Sequence, residues 1–565
     1  MRTQATGSLG HGDPADNAKP GMRHRALPIA LFVSVTCAYG FGNMGCGDSM
    51  WTIPTAVALL DEGTPRLDRY LALIESRGSA FIQKTGGHYY TVYPFATSLI
   101  AAPAVAVLRP IAAAAFAWAP SLAVKMEAVQ LQRGCAPPAG EPVIHLHSWT
   151  EALIASAIVA ATTVLMFNIA RVEVGVWGAL LVALIFAFAT SAWSTASRSL
   201  WQHSASMLML ALALNWQVRG RRAGFAGASL AAAYAIRPTN AIPLAFGAAV
   251  ARIDPRAHVM PFLAGAACVG AVFTAANLHV YGAWLPPYYH ASFFGANQFF
   301  WEALGGQLLS PARGLFVYSP VLIGSLAGVA IKLRQRRFTA LDLSLALTIL
   351  VHWILISAVH NWWGGHSYGP RFFTDMLPYL VYFLIPLVAW FRVTDGIQRA
   401  GTVGLFAASI GVSVFMHGHG ALSREAPYWN QRPLDIDYGQ DRLWDWRRPP
   451  FLAGITFSPS KGVRDANSVV CSSPPGAPAN VSVVSSNGST VVLTWAPAPG
   501  SATSYAIEAG SAPGLTNQGT RESWASAHPI YSATRVPPGT YFVRVRAKNG
   551  CGFGPASDDV KVVVR

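Results

Sequence analysis

Asp48 stands in Gly47-Asp48-Ser49, at the close of a long apolar run, and a second acidic pair, Asp61-Glu62, follows shortly after it. Further on comes Lys84-Thr85-Gly86-Gly87-His88-Tyr89-Tyr90-Thr91-Val92-Tyr93-Pro94. A third stretch, Ser310 to Pro320, carries Arg313, and a fourth, His360 to Phe372, carries His366 and Arg371 among glycines and aromatic rings. A smaller one, Trp193 to His203, carries Arg198, Trp201 and His203. Taken singly, each has a structural explanation. Tryptophan and tyrosine at a span end anchor it to the interface, and arginine there reaches for headgroups. Together they make a set. Arginine recognises phosphate through paired N–H groups, and lysine adds a point charge. Glycine lets backbone come close to a ligand. A carboxylate can take a proton from an attacking hydroxyl or amine. A phosphate leaving group needs its charge stabilised more than it needs an acid. The chemistry that fits is transfer of a sugar from a lipid phosphate to an acceptor.

The rest of the chain is what must hold those residues. It is 52% hydrophobic and 12% charged, against about 25% charged in ordinary soluble proteins. Apolar runs near bilayer-spanning length recur from about residue 26 to about residue 417, and helices are the form in which lipid tolerates them. The first run, 26–45, follows Arg23-His24-Arg25 and reads as a retained span, because Gly42 to Asp48 makes a poor cleavage site. Two short spans are expected between Pro94 and about Leu131, turning at Arg109-Pro110. Others follow near 149–170, 174–192, 199–217, 257–280, 314–331, 339–358, 372–391 and 400–417, with a further pair turning around Arg237 to Asn240. That gives about thirteen.

The net charge of +15 resides largely in tight clusters between spans, such as Arg219 to Arg222, Arg252 to Arg256 and Lys332 to Arg337. This is the pattern of cytoplasmic loops, and it argues for orientation rather than nucleic-acid binding. It places residues 1–25 in the cytoplasm and all the polar stretches named above on the outer face. The membrane domain is expected over 26–420 and a polar outer connector over 421–473. Residues 474–565 alternate apolar and polar at period two between Pro and Gly turns, which is the pattern of a β-sandwich.

Two resemblances sharpen these expectations. The last segment resembles a fibronectin type III domain. Pro478-Ala479-Asn480-Val481 matches its first strand, Trp495 its core tryptophan, and Tyr541-Phe542-Val543-Arg544-Val545-Arg546-Ala547 its tyrosine-corner strand. Asn549-Gly550 and Gly554-Pro555-Ala556-Ser557 match the turn that follows. In that sandwich Cys471 and Cys551 fall at the same end, so a disulfide between them is expected in an oxidising compartment. Residues 26–420 resemble the GT-C superfamily of integral membrane glycosyltransferases. The features are the Asp after the first span, the Lys, Tyr-Tyr and Tyr-Pro segment before the second, and an outer C-terminal domain.

That resemblance implies a polyprenyl-phosphate sugar as donor and a layout like the bacterial protein mannosyltransferases and lipid A aminoarabinose transferases. It implies Asp48 as base, Lys84, Arg313 and Arg371 on the phosphate, and Tyr89, Tyr90 and His366 lining the pocket. Asp61, Glu62 and His203 are secondary candidates, since the family often has paired carboxylates in its first loop. Some related enzymes use a divalent cation, and no cofactor or metal-ligand spacing in this sequence argues for one. The acceptor is a glycan, lipid or protein outside a bacterial plasma membrane, and membrane lipid is the remaining partner. Two other classes compete: a transporter or lipid flippase, which calls for ionisable residues mid-span, and a non-catalytic scaffold that binds through its sandwich.

Overall fold

A computed structural model describes residues 20–564 except 41, 44–46, 72–73, 75–80, 122–124, 126–146, 221, 254–258, 290–296, 298, 360, 394, 433–435, 437–439, 460–472, 488–489, 501, 503, 523–528, 534–535 and 550–551. The chain is an α-helical polytopic membrane protein with a C-terminal β-sandwich. Among the described residues six helices are long and apolar enough to cross a membrane, and Ala26–Tyr39 and Ala223–Ile236 are shorter apolar helices.

Helix α1, Pro20–Tyr39, leads into the turn that carries Asp48. Helix α2, Thr52–Glu62, then buries Ile53, Ala56 and Val57 and stops at Gly63, whose φ of 66° suits a C-cap without a Cβ. A hairpin of β1, Ile82–Thr85, and β2, His88–Thr91, pairs Lys84 with Tyr89. Its two-residue turn, Gly86-Gly87, has φ of 58° and 86°, the left-handed values that a tight hairpin turn requires. Helix α3 runs from Ala96 to Trp118 straight through Pro103 and Pro110. The turn expected at Arg109-Pro110 is therefore absent. Asp61 of α2 accepts from Arg109 Nη2 at 3.1 Å and holds that point of the helix in place. In lipid, neighbouring elements make up for the backbone bonds that proline removes. The second short span expected before Leu131 falls mainly on residues outside the described ones.

Helix α4, His147–Phe188, covers two expected spans in one run, broken only at Gly175 with φ of 66°. Arg392 Nη1 reaches the break and donates to the Val174 carbonyl at 2.5 Å. Helices α5, Gln202–Val218, α6, Ala223–Ile236, α7, Ala241–Ile253, and α8, Val259–Tyr281, follow with short turns. Backbones of α6 and α8 touch where glycine allows it. A Cβ on Gly227 would collide with the Phe262 carbonyl, and one on Gly265 with that of Gly224. After α9, Phe300–Leu309, come α10, Ile323–Arg334, and α11, Ala340–Ser357, whose N-terminus is closed by a Thr339–Asp342 capping box. The next span is broken into α12, Leu377–Tyr382, and α13, Ile385–Val393, and α14, Ile397–Leu422, completes the domain. Side chains such as Leu263, Val272, Leu405 and Phe415 face outward, as lipid-facing surfaces do. The basic residues Arg219, Arg252, Lys332 and Arg392 sit at the helix ends remote from Asp48. The connector packs by Trp429, Ile436 and Leu443 against Ala303, Ala312, Trp362 and Trp363.

The sandwich has one sheet ordered β3-β4-β7 and a second ordered β10-β8-β5-β6, with β9 also on β8. The expected strands are β3, Ala479–Asn487, β4, Thr490–Ala496, β5, Ser504–Gly510, β8, Gly539–Asn549, and β10, Val560–Val564. Three more complete it: β6, Gly519–Glu522, β7, Ile530–Ala533, and β9, Gly552–Ala556. Gly554-Pro555-Ala556 thus lies in a strand, not in the turn expected for it. Trp495 is buried with its ring 5.1 Å from that of Tyr505, and the Tyr541 hydroxyl donates to the Pro537 carbonyl at 2.8 Å. Trp495→Ala should destabilise this domain by about 3–5 kcal/mol, read as faster proteolysis after residue 476 in the full chain. Cys471 and Cys551, the expected disulfide, lie outside the described residues, and Cys37 and Cys268 are free thiols.

Candidate active site

The turn that carries Asp48 is fastened from two sides. Asn43 N donates to the Ala421 carbonyl at 2.7 Å, and its side chain reaches the Ser423 carbonyl, so the end of α1 is tied to the end of α14. Gly42, at φ 135°, sits where a Cβ would strike the same Ala421 oxygen. Beyond the turn, Ser49 Oγ donates to Glu151 Oε2 at 2.6 Å, and Leu200 N donates to the same oxygen at 3.3 Å. Glu151 is fully buried. It lies at the start of the span expected at 149–170, and it joins the turn to the segment that enters α5.

Arg371 opens a single 3-10 stretch, Arg371–Met376, that leads into α12. Its three nitrogens diverge. Nη2 meets Asp48 Oδ2, Nη1 donates to the Gly364 carbonyl at 3.1 Å, and Nε donates to His203 Nε2 at 3.2 Å. The flat face of the guanidinium lies 4.1 Å from the Trp201 ring. Behind it, His203 Nδ1 is 3.0 Å from Asp375 Oδ1, and Arg237 Nη1 meets Asp375 Oδ2. Two carboxylates and two guanidiniums therefore alternate around one imidazole at the same end of the bundle. Asp48 keeps 27% of its side chain exposed and Arg371 15%, whereas Asp375 is sealed off. The opening is on the Asp48 side.

Aromatic rings form the other wall. The Tyr93 hydroxyl donates to Asp48, and its ring lies 5.9 Å from Phe81 and 5.2 Å from Tyr288. Burial pushes the Asp48 carboxyl up, but Arg371 and the Tyr93 hydroxyl more than reverse this and hold it below the usual carboxylate range. Burial, and then the Asp48 charge, hold the Tyr93 phenol well above its ordinary value, so it stays a donor.

The structure therefore brings Asp48, Arg371 and His203 into contact. The other expected residues stand further off. Lys84 is on the exposed hairpin, 5.1 Å over the Tyr89 ring. Tyr89 lies in β2, paired with Lys84, and Tyr93 follows beyond the end of that strand. Tyr90 is buried with its ring 5.4 Å from Tyr281. Asp61 and Glu62 form ion pairs with Arg69 at 2.8 and 3.4 Å, and Asp61 also binds Arg109. Neither acid has a partner in the Asp48 cluster.

Arg313 has a different place from the one expected. It is 2% exposed and donates to the carbonyls of Trp363 at 2.7 Å, Gly365 at 3.0 Å and Ala312 at 3.0 Å, and to Asn430 Oδ1 at 2.7 Å. It staples the Gly364-Gly365 loop, whose φ values of 70° and 62° suit glycine, and Arg371 donates to the Gly364 carbonyl of the same loop. His366 is on the exposed side of the same loop. Asp375 and Arg237 are the residues that sequence reasoning did not single out. The signal for Asp375 was an acid four residues after Arg371 in a run read as a span, where a carboxylate is costly unless it has work to do. Among the described residues no group of three or more His, Cys, Asp or Glu could hold a metal ion.

Residues 476–563 match the fibronectin type III domain family. The C-terminal sandwich is a fibronectin type III domain. Its hydrogen-bonded Tyr541 and buried Trp495 are among the features on which the sequence resemblance rested. By sequence, no curated protein matches the chain. Among solved structures, one described as a myokine is similar to 16% of this chain over 99% of its own length, at 22% identity and a TM-score of 0.14. ArnT from Cupriavidus metallidurans, solved bound to undecaprenyl phosphate, is similar over 74% of this chain and 81% of its own, at 11% identity and a TM-score of 0.41. The fibronectin type III domain lies outside the membrane-spanning part, and the site geometry above is built entirely without it.

Proposed function

We propose that this chain is a membrane glycosyltransferase of the GT-C kind. It moves a sugar from a polyprenyl-phosphate donor to an acceptor on the face where Asp48 lies. One observation carries the reading: a half-buried carboxylate and an arginine face each other at an opening walled by Tyr93, Tyr288 and Trp201. Arg371 has five N–H groups, and its contacts use three of them. Two N–H groups remain for phosphate oxygens. The acceptor oxygen or nitrogen attacks the anomeric carbon from the side opposite the phosphate and gives its proton to Asp48. The bond from that carbon to the phosphate oxygen breaks, and the electron pair leaves with the phosphate, whose charge Arg371 stabilises. The result is inversion. Lys84, on its exposed hairpin, meets the phosphate or the acceptor only if the hairpin folds inward on binding.

The same orientation puts the basic helix ends on the cytoplasmic side, as positive-inside retention requires. It puts Asp48 and the connector outside a bacterial plasma membrane, with the N-terminus inside. The ionisable residues Asp375 and Arg237 join the Asp48 cluster at that one end rather than lining a route through the bundle, which favours an enzyme over a transporter.

The test is consumption of donor. Full-length protein in liposomes, given radiolabelled polyprenyl-phosphate mannose, glucose or aminoarabinose, should convert one of them to free polyprenyl phosphate in the presence of an envelope extract. Stable donors in every case, with the protein folded and inserted, would remove the assignment.

A further inference from the structure

The groups behind Arg371 form a chain whose order has a chemical consequence. Arg371 Nε donates to His203 Nε2 at 3.2 Å. A guanidinium has no acceptor, so that nitrogen must carry its lone pair rather than a proton. On the far side of the ring, Nδ1 lies 2.6 Å from Arg237 Nη1 and 3.0 Å from Asp375 Oδ1, so both members of that ion pair seat the imidazole from behind.

Arg237 completes the arrangement by meeting the second oxygen of Asp375. It neutralises that carboxylate, which therefore does not compete with Asp48 for Arg371. The remaining contacts of Arg371, to the Gly364 carbonyl, Asp48 and the Trp201 face, fix the plane of the guanidinium. His203 fixes its rotation within that plane.

We propose that His203 and Asp375 are positioning residues: Asp375, with Arg237, seats the ring of His203, and His203 Nε2 aims Arg371 so that it faces Asp48 and an incoming anion at once. Only the identity of that anion, a lipid phosphate, rests on the function proposed above. The same pattern, a carboxylate that orients a histidine that in turn orients the working group, is a general means of fixing a polar site.

Two amide substitutions separate this role from a merely structural one. A glutamine amide reaches the place of the distal ring nitrogen, and an asparagine amide reaches only that of the proximal one. His203→Gln keeps an acceptor for Arg371 Nε. His203→Asn keeps a donor for Asp375 and loses the acceptor. The first measurement needs no ligand. Full-length protein in detergent is treated with phenylglyoxal, and modification of Arg371 is followed by peptide mass spectrometry. His203→Asn should react about tenfold faster than the parent chain, and His203→Gln within about twofold of it. Equal rates in the two variants, or the reverse order, would overturn the positioning role.

The second measurement is affinity for a polyprenyl phosphate of eleven isoprene units in mixed micelles. It should fall about tenfold in His203→Asn and hold in His203→Gln. If the parent chain binds no polyprenyl phosphate, the proposed function fails. The phenylglyoxal order still decides the positioning role by itself.

Discussion

Asp48→Asn should lower the rate of sugar transfer by about 10²–10⁴-fold and leave the protein inserted and folded. The amide still offers an oxygen to Tyr93 and Arg371, so the turn between Gly47 and Met50 keeps its contacts. What it loses is the ability to accept a proton. The pH profile gives an independent reading of the same group. Burial raises the Asp48 carboxyl and the Arg371 charge more than offsets it, so the folded value lies below the ordinary one. A carboxyl whose folded pKa is depressed is ionised, and competent as a base, through the neutral range. Its contribution, to stability as well as to catalysis, is lost as pH falls through that depressed value. The acid limb of kcat/KM should therefore lie at lower pH than the titration of an ordinary carboxyl. An acid limb near neutrality, or a full rate in Asp48→Asn, would show that another group takes the proton.

Arg371→Gln should cost about 10²–10³-fold in kcat/KM, and it should move the acid limb as well. With the guanidinium gone, burial acts on Asp48 without its largest opposing influence, and the carboxyl titrates at higher pH. The two effects together distinguish a phosphate ligand that also tunes the base from a residue that only braces the loop. A bracing residue would lower activity in proportion to folded protein and leave the limb where it was. Arg313→Gln supplies that control. It should destabilise the 363–367 loop, because buried carbonyls lose their donor, and it should leave the limb unmoved.

Much of this architecture is legible in the sequence. The spans are visible because lipid selects long apolar runs, and the sandwich because strands alternate at period two. Trp495 and Tyr541 are visible because their spacing along the strands is fixed by packing. Asp48 and Arg371 stood out as polar residues in loops between apolar runs, and they meet across 323 residues. Asp375 and Arg237 did not stand out. Each looks like an isolated charge at a span end, and only the fold brings them together across 138 residues. Arg313 shows the opposite limit. A cation that satisfies carbonyls in a buried loop has the same surroundings in sequence as one that faces a ligand. Pro110 misled for a different reason. Proline ends most helices in water, and α3 passes through two of them.

The clasp between Asn43 and the end of α14 also bears on how the protein is made. A ribosome that has delivered the chain only as far as Ser357 has released Asp48 but not Arg371, Ala421 or Ser423. The nascent protein holds Asp48 with neither the guanidinium that pairs with it nor the partners that tie Asn43 down. The contacts of Asn43 therefore form only after the last helix of the membrane domain has been delivered, and a truncation that removes α14 and Ser423 removes both of them.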